Sequence, residues 1–247
     1  MEANTNRTLS GSMTQKDDQR TFPKTLLLIP TLNEENAIAE LVDEARAYGF
    51  GNIMVIDGFS TDKTRERAET SDVKVVLQDF GKGKGCGVRT GMRDFLQTNA
   101  EIMGIIDGDG TCDTVYFMQM ITILENGQAD VVLGSRTRGP REPQAMNFVS
   151  LASNRTVSFM LGAKFRRLFT DIQTGQWVFT RDAVERIYPK ITSTGFEIEL
   201  ELFVKLMKEG LRVLEIPVAF RRRKGKTKFK FSMRIRNLYY AFKFLAS

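Results

Sequence analysis

The sequence predicts an α/β domain built on a doubly wound, mostly parallel sheet with helices on both faces. Three observations carry this reading. Short apolar runs at 25–30 (TLLLIP), 52–57 (NIMVID), 73–78 (VKVVLQ), 101–107 (EIMGIID) and 129–134 (ADVVLG) have the length and β-branched content of buried strands. Helical patterns lie between them, the alternation expected when crossover helices join parallel strands. Polar punctuation (PTLNEE, DGFSTD, DGDGT, GSR) follows the strands, at the edge where such sheets bind ligands.

Taken in order, Pro30 ends the first strand, and Asn33 is expected to cap a helix running to about Arg46. Ile38, Leu41, Val42 and Ala45 fall on one face of that helix, and Gly49 closes it. The charged segment DKTRERAE follows the second strand. A glycine-rich loop then leads into a helix around 87–97, and a further helix is expected near 114–125. Beyond a polar loop at 137–147 come a helix near 148–168, a strand at 176–180, a short helix at 181–187 and a longer one at 196–209. Residues 211–220 read as a strand that Pro217 confines to a sheet edge. Residues 1–22 are polar, lack the apolar core of a signal peptide, and are expected to form a disordered lead to a domain spanning 23–228.

Composition narrows the chemistry. The 247 residues include no histidine, which excludes Ser-His-Asp and Cys-His triads and imidazole-based zinc sites. Cys86 and Cys112 are the only cysteines, so any metal must be held by oxygen, as suits Mg²⁺ or Mn²⁺. Charge is unevenly placed: residues 221–247 carry ten basic groups and no acidic one, leaving 26 basic against 30 acidic elsewhere. Such a block points to an anionic partner, whether membrane surface, nucleic acid or phosphorylated substrate. Within 229–247, Phe231, Ile235, Leu238, Phe242 and Leu245 recur at helical spacing. This helix is too short to span a bilayer but suited to lie in its interface, or to pack on the domain.

Several segments could carry chemistry. In DGDGT, Asp107 and Asp109 stand one residue apart behind a buried strand, as either a solvated turn or a site for a divalent cation bridging nucleotide phosphates. An EF-hand is excluded, because its sixth and twelfth positions would be Cys112 and Met118. GKGKGCGVRTGM (81–92) matches neither the P-loop nor the dinucleotide fingerprint, yet its glycines would let backbone amides approach an anion beside Lys84. Asp57 either accepts from a base or ribose or shapes a capping turn, and Arg136 is a phosphate ligand or a surface charge.

As an ordered series, PTLNEE, VIDGFSTD, GKGKGCGVRTGM, DGDGT and GSR resembles the family 2 glycosyltransferases of GT-A fold. More narrowly, it is similar to the dolichyl- or polyprenyl-phosphate sugar synthases and their archaeal relatives. The resemblance continues through DIQTGQWVFTRDA (171–183), GFEIELEL (195–202) and RRRKGKTK (221–228), with Gln176 in place of the usual aromatic residue. It implies an inverting, metal-dependent transfer of one hexose from a UDP- or GDP-sugar, with a lean to UDP, onto a polyprenyl phosphate. The enzyme would be peripheral on the cytoplasmic face of a membrane.

By matched position, the resemblance implies that Pro30, Glu34 and Asp57 line the base and ribose pocket, with Lys84 near it or the diphosphate. Asp107 and Asp109 would organise the metal and sugar diphosphate, with Thr111 as a further ligand. Arg136, Arg222 and Lys228 would bind phosphate, the last two gripping that of the acceptor. Glu201 matches a family glutamate whose role the sequence does not reveal. The rival readings are a GT-A transferase with a soluble acceptor, such as a sugar or phosphoglycerate, and a nucleic-acid-binding module. Against the module, aspartates at the strand ends would repel a phosphate backbone.

Overall fold

The computed structural model describes residues 20–71, 73–225 and 231–246. The predicted alternation is present: β1 (Thr25–Thr31), α1 (Ile38–Ala47), β2 (Ile53–Asp57), α2 (Thr64–Thr70), β3 (Lys74–Leu77), α3 (Lys84–Leu96), β4 (Ile102–Ile106), α4 (Tyr116–Glu125) and β5 (Val131–Ser135). Then follow α5 (Phe148–Lys164), β6 (Gln176–Thr180), α6 (Arg181–Ile187), α7 (Ile198–Lys208), β7 (Val213–Pro217) and α8 (Phe231–Ala246).

The strands form one seven-stranded sheet in the order β3-β2-β1-β4-β6-β5-β7. Leu26 and Leu28 enter one apolar cluster while Leu27 and Ile29 enter another, so alternate side chains of one strand feed cores on opposite faces. All pairings are parallel except those of β6, which runs antiparallel between β4 and β5. Nothing in QWVFT distinguishes the two directions. β7 lies at an edge, where Pro217 removes no interior ladder bond. Strand order reverses between β1 and β4, leaving a crevice at their carboxyl ends.

Three local expectations are corrected. Asn33 does not cap α1: it adopts φ 50°, and its side chain accepts from the Thr61 amide at 2.7 Å, tying the β1 loop to the β2 loop. The helix starts later, at Ile38, without a side-chain cap. The lead is also shorter than 1–22 at its described end. Phe22 is buried and stacks on Phe50 with ring centroids 4.7 Å apart, while Arg20 donates to Thr122 at 2.8 Å. Residues 1–19 lie outside the described residues.

α8 packs on α5 and α7 mostly through residues outside the predicted stripe, of which Leu245 joins the packed face. Asn237 and Ala241 are buried, and Tyr240 and Phe244 pack against the core. Ile235, Leu238 and Phe242 point outward. Among the described residues, no helix is long and apolar enough to cross a membrane.

Arg181 ties the sheet to α3. Its guanidinium donates to the carbonyls of Ala100 at 2.9 Å and Phe95 at 3.3 Å, and it also meets that of Thr98, holding a positive charge at the helix's C-terminal end. Arg181→Met keeps the apolar stem but strands these acceptors. It should lower the unfolding free energy by about 1.5–3 kcal/mol, read as a reduced urea midpoint with unchanged slope.

Candidate active site

The β1–β4 crevice holds the two aspartates of DGDGT, and each has a basic side chain against it. Asp107 pairs with Lys84 Nζ at 2.6 Å. Asp109, buried, accepts through Oδ2 from Arg223 at 2.7 Å, and Arg223 also bridges to Glu34. Burying carboxylates in this way is costly without such counter-charge. The other oxygen of Asp109 accepts from Thr111 twice, at 3.0 Å from the amide and 2.6 Å from the hydroxyl. Thr111 thus orients Asp109.

Lys84 occupies the first turn of α3 and has a second carboxylate, Glu199 on α7, at 2.5 Å. Burial opposes its charge, but Asp107 and Glu199 outweigh that and hold the ammonium above the usual lysine range. Burial pushes the Glu199 carboxyl upward, and Lys84 only partly offsets it. Burial, with Asp107 and Asp109 adding to it, pushes the Cys112 thiol up to about 12, so in this setting it stays protonated at neutral pH.

The glycine-rich loop works differently from expectation. The amides of Gly85 and Cys86 donate to the carbonyls of Gly195 at 3.1 Å and Thr194 at 3.3 Å, so two of the donors at the start of α3 are already engaged. A Cβ at Gly85 would collide with the Ser193 carbonyl, which is why this close approach requires glycine. The loop is a packing device that sets Lys84 in place, and Lys84 brings the charge.

The GFEIELEL segment explains itself in this setting. Glu197 accepts from the Gly195 amide at 3.0 Å and pairs with Arg236 of α8 at 2.6 Å. Glu199 meets Lys84. Glu201, whose role was unassigned, accepts from the amides of Thr192 at 3.0 Å and Ser193 at 2.8 Å. It therefore holds the strand of chain on which α3 begins.

From the other side, β6 contributes through its approach loop. A Cβ at Gly175 would fall on the Asp107 carboxylate, so glycine leaves the space that the carboxylate fills. Asp171 accepts from Arg136 Nε at 2.7 Å and Nη2 at 2.8 Å, and the same guanidinium donates to the Gln173 carbonyl at 2.7 Å. Arg136 is thus no surface charge but a fixed cation on the cavity wall, its charge held firmly by Asp171 despite burial. Gln176, in the place of an aromatic residue, donates to the Asp113 carbonyl at 2.9 Å.

Two adjoining cavities share Lys84, Asp107, Asp109, Phe196 and Arg223. One, of about 380 Å³, is also lined by Pro30, Thr31, Glu34, Gly58 and Gln78. The other, of about 350 Å³, extends to Arg136, Asn147, Ser153 and Asn237. Of the residues singled out from sequence, Pro30, Glu34, Lys84, Asp107, Asp109, Thr111 and Arg136 are brought to these walls. Asp57 is not: fully buried, it accepts from the amides of Phe59 and Ser60, both at 3.1 Å, and shapes the β2 turn. Arg222 is exposed and lines a separate cleft with Glu40, Glu44 and Glu142, while Lys228 lies outside the described residues. Arg223 and Glu199 were missed. The signal for Glu199 was present in the alternating glutamates of 197–201, but Arg223 is indistinguishable from its basic neighbours without coordinates.

The model of glycosyl transferase family 2 matches residues 27–188. The chain belongs to glycosyl transferase family 2. Glycosyltransferase AglJ of Haloferax volcanii is 37% identical over 194 residues, covering 78% of this chain and 62% of its own length. The chain thus spans less than two thirds of that relative. A dolichyl-phosphate hexose transferase of the same organism is 27% identical over 212 residues, covering 84% and 87% of the two chains. Among solved structures, glucosyl-3-phosphoglycerate synthase from Mycobacterium tuberculosis, in complex with Mn²⁺, UDP and phosphoglyceric acid, superposes with a TM-score of 0.72. It is 17% identical and covers 90% of this chain and 78% of that one. The architecture is therefore of the GT-A kind, and the family 2 chain is a glycosyltransferase.

Lys84→Met would leave Asp107 and Glu199 facing each other without a cation. At about pH 8 the variant should lose about 3–5 kcal/mol of stability. The deficit should shrink toward about pH 5, because a carboxyl raised in the folded state stabilises below its unfolded pKa and costs as pH rises through its folded value. Urea midpoints of both proteins at the two pH values test this.

Proposed function

We propose that this chain transfers one hexose, with inversion, from a nucleotide sugar to a polyprenyl phosphate at a membrane surface. The observation that carries the proposal is the continuity of the carboxylate-lined cavity with an exposed apolar face. Phe148 and Val149 of α5 and Leu238 of α8 border a groove that shares Ser153 with the wall reaching Asp107 and Asp109. Phe148 is 82% exposed and Phe242 56%, and Phe159, Ile235 and Tyr239 are exposed on the same two helices. Exposed apolar area of this extent, beside a basic chain segment, suits a bilayer interface. The cytoplasmic face is where a nucleotide sugar would be available.

The donor would enter the cavity between Pro30, Glu34 and Gly58, with its diphosphate toward Lys84 and the aspartates. UDP is favoured over GDP by the likeness of VIDGFSTDKT and DGDGT to archaeal relatives. Two carboxylates of all-oxygen character, with room for phosphate oxygens beside them, fit Mg²⁺ or Mn²⁺ held by Asp107 and Asp109. Such an ion, when bound, would neutralise the departing nucleoside diphosphate. The chain's own part is positional. Thr111 fixes Asp109, Gly175 makes room for Asp107, and Lys84 and Arg136 supply charge that does not have to reorganise.

An acceptor phosphate, largely ionised near pH 7 because its second pKa is about 6, needs no strong base to attack the anomeric carbon. Arg136, on the cavity wall beside Asp107 and Asp109, is the proposed grip on that phosphate, since Arg222 faces a separate cleft. A soluble phosphorylated acceptor is the rival, since the solved neighbour is a phosphoglycerate enzyme; at 17% identity that likeness speaks for the fold.

Asp109→Asn should reduce UDP-sugar turnover about a thousandfold while the chain still unfolds in one cooperative transition. Unchanged turnover would remove Asp109 from the site. In vesicle flotation, the native chain should rise with anionic liposomes, and a Phe148→Ser/Phe242→Ser variant should stay behind. Full activity on phosphoglycerate or a free sugar, with none on polyprenyl phosphate, would overturn the lipid-acceptor reading.

A further inference from the structure

The two cations that neutralise the aspartates are held in different ways. Lys84 rises from a helix packed in the core and keeps a second partner, Glu199, behind the site. Arg223 sits on residues 221–225, which cross the cavity mouth after β7. The anchors of this segment lie outside the cavity: Arg221 pairs with Glu44 at 2.5 Å and Asp113 at 2.7 Å, its amide donates to the Thr111 carbonyl at 2.8 Å, and Lys224 pairs with Glu40. The Arg223 side chain can therefore leave without unfastening the backbone that carries it.

Its position is informative. Thr111 takes Oδ1 of Asp109, and Arg223 takes Oδ2. A divalent ion bound by Asp109 through Oδ2 and the Arg223 guanidinium would contend for one oxygen. The fit of the guanidinium is also incomplete, since its Nε is buried without a hydrogen-bond partner. An unmet buried donor weakens the closed arrangement.

We infer that Arg223 is a resident counter-cation, which stabilises Asp109 and Glu34 in the ligand-free enzyme and must be displaced by a metal–nucleoside diphosphate. The inference rests on the metal-dependent donor site proposed above. It makes donor affinity a balance: the seated side chain lowers apparent affinity by the fraction of molecules in which it is displaced. It also spares the empty site two uncompensated carboxylates.

The test is Mn²⁺ binding in the presence of UDP, measured on the full chain from the electron paramagnetic resonance signal of free Mn²⁺. Arg223→Gln should bind Mn²⁺–UDP about tenfold tighter than the native chain. Its thermal midpoint without metal should fall and should recover on adding Mn²⁺–UDP by more than the native shift. Arg212→Gln removes the same charge at a distant exposed pair with Asp130 and should leave the affinity within about twofold. Native binding with equal or weaker binding by Arg223→Gln overturns the counter-cation role alone. Failure of both chains to bind Mn²⁺–UDP overturns it together with the metal-dependent reading.

Discussion

Two carboxylates at the end of a central strand, Asp109 buried and Asp107 half-buried, must be matched by positive charge, and much of the surrounding structure serves that requirement. In isolation Asp107 and Asp109 would repel each other and resist burial. Here each is given a cation from a different direction, Lys84 from the floor of the crevice and Arg223 from its mouth. Each cation in turn has a further carboxylate, Glu199 and Glu34 respectively. The result is a four-carboxylate, two-cation cluster with a net negative charge, which suits a place where a divalent ion accompanies a diphosphate.

The positioning chain behind Lys84 is unusually explicit. Glu201 fixes residues 192–193, the carbonyls of 194 and 195 receive the first amides of α3, and α3 presents Lys84 to Asp107. Glu197, two residues from Glu199, joins the same segment to Arg236 of α8. Three glutamates at alternate positions of one helical start therefore point to three partners, as expected where each residue turns the side chain by about 100°. Their combined effect is to define the cavity floor by ion pairs and close backbone contact.

Much of this was legible in the sequence, and the remainder was hidden for physical reasons. Strand runs, helix periods and the edge position of β7 follow from burial patterns that are local in the chain. So does the location of DGDGT at a ligand-binding edge. The glycines of 81–92 were read as an anion cradle, because sequence shows that a backbone can come close to something but not to what. At Gly83 and Gly85 it is another backbone, that of residues 193–195, and at Gly87 and Gly91 it is side chains. Asp57, buried, and Asn33, exposed, both accept from nearby amides, since short polar side chains satisfy local donors before they serve a ligand. The choice of Arg223 over Arg222 depends on the path of one loop, and the outward stripe on α8 depends on which face α5 and α7 cover.

The antiparallel course of β6 has a consequence for how the molecule assembles. β4 and β5 are consecutive in the chain yet never pair; β6 lies between them and bonds to both. Until residues 176–180 arrive, β1 to β4 form one open-edged fragment, with β5 detached from it. Closing the sheet therefore waits on pairings far apart in the chain, such as Ile102 with Thr180 and Val131 with Phe179, a topology that slows folding. The chain that closes the sheet is the one whose entry, at Gly175, shapes the space around Asp107, so closing the core also sets one wall of the crevice.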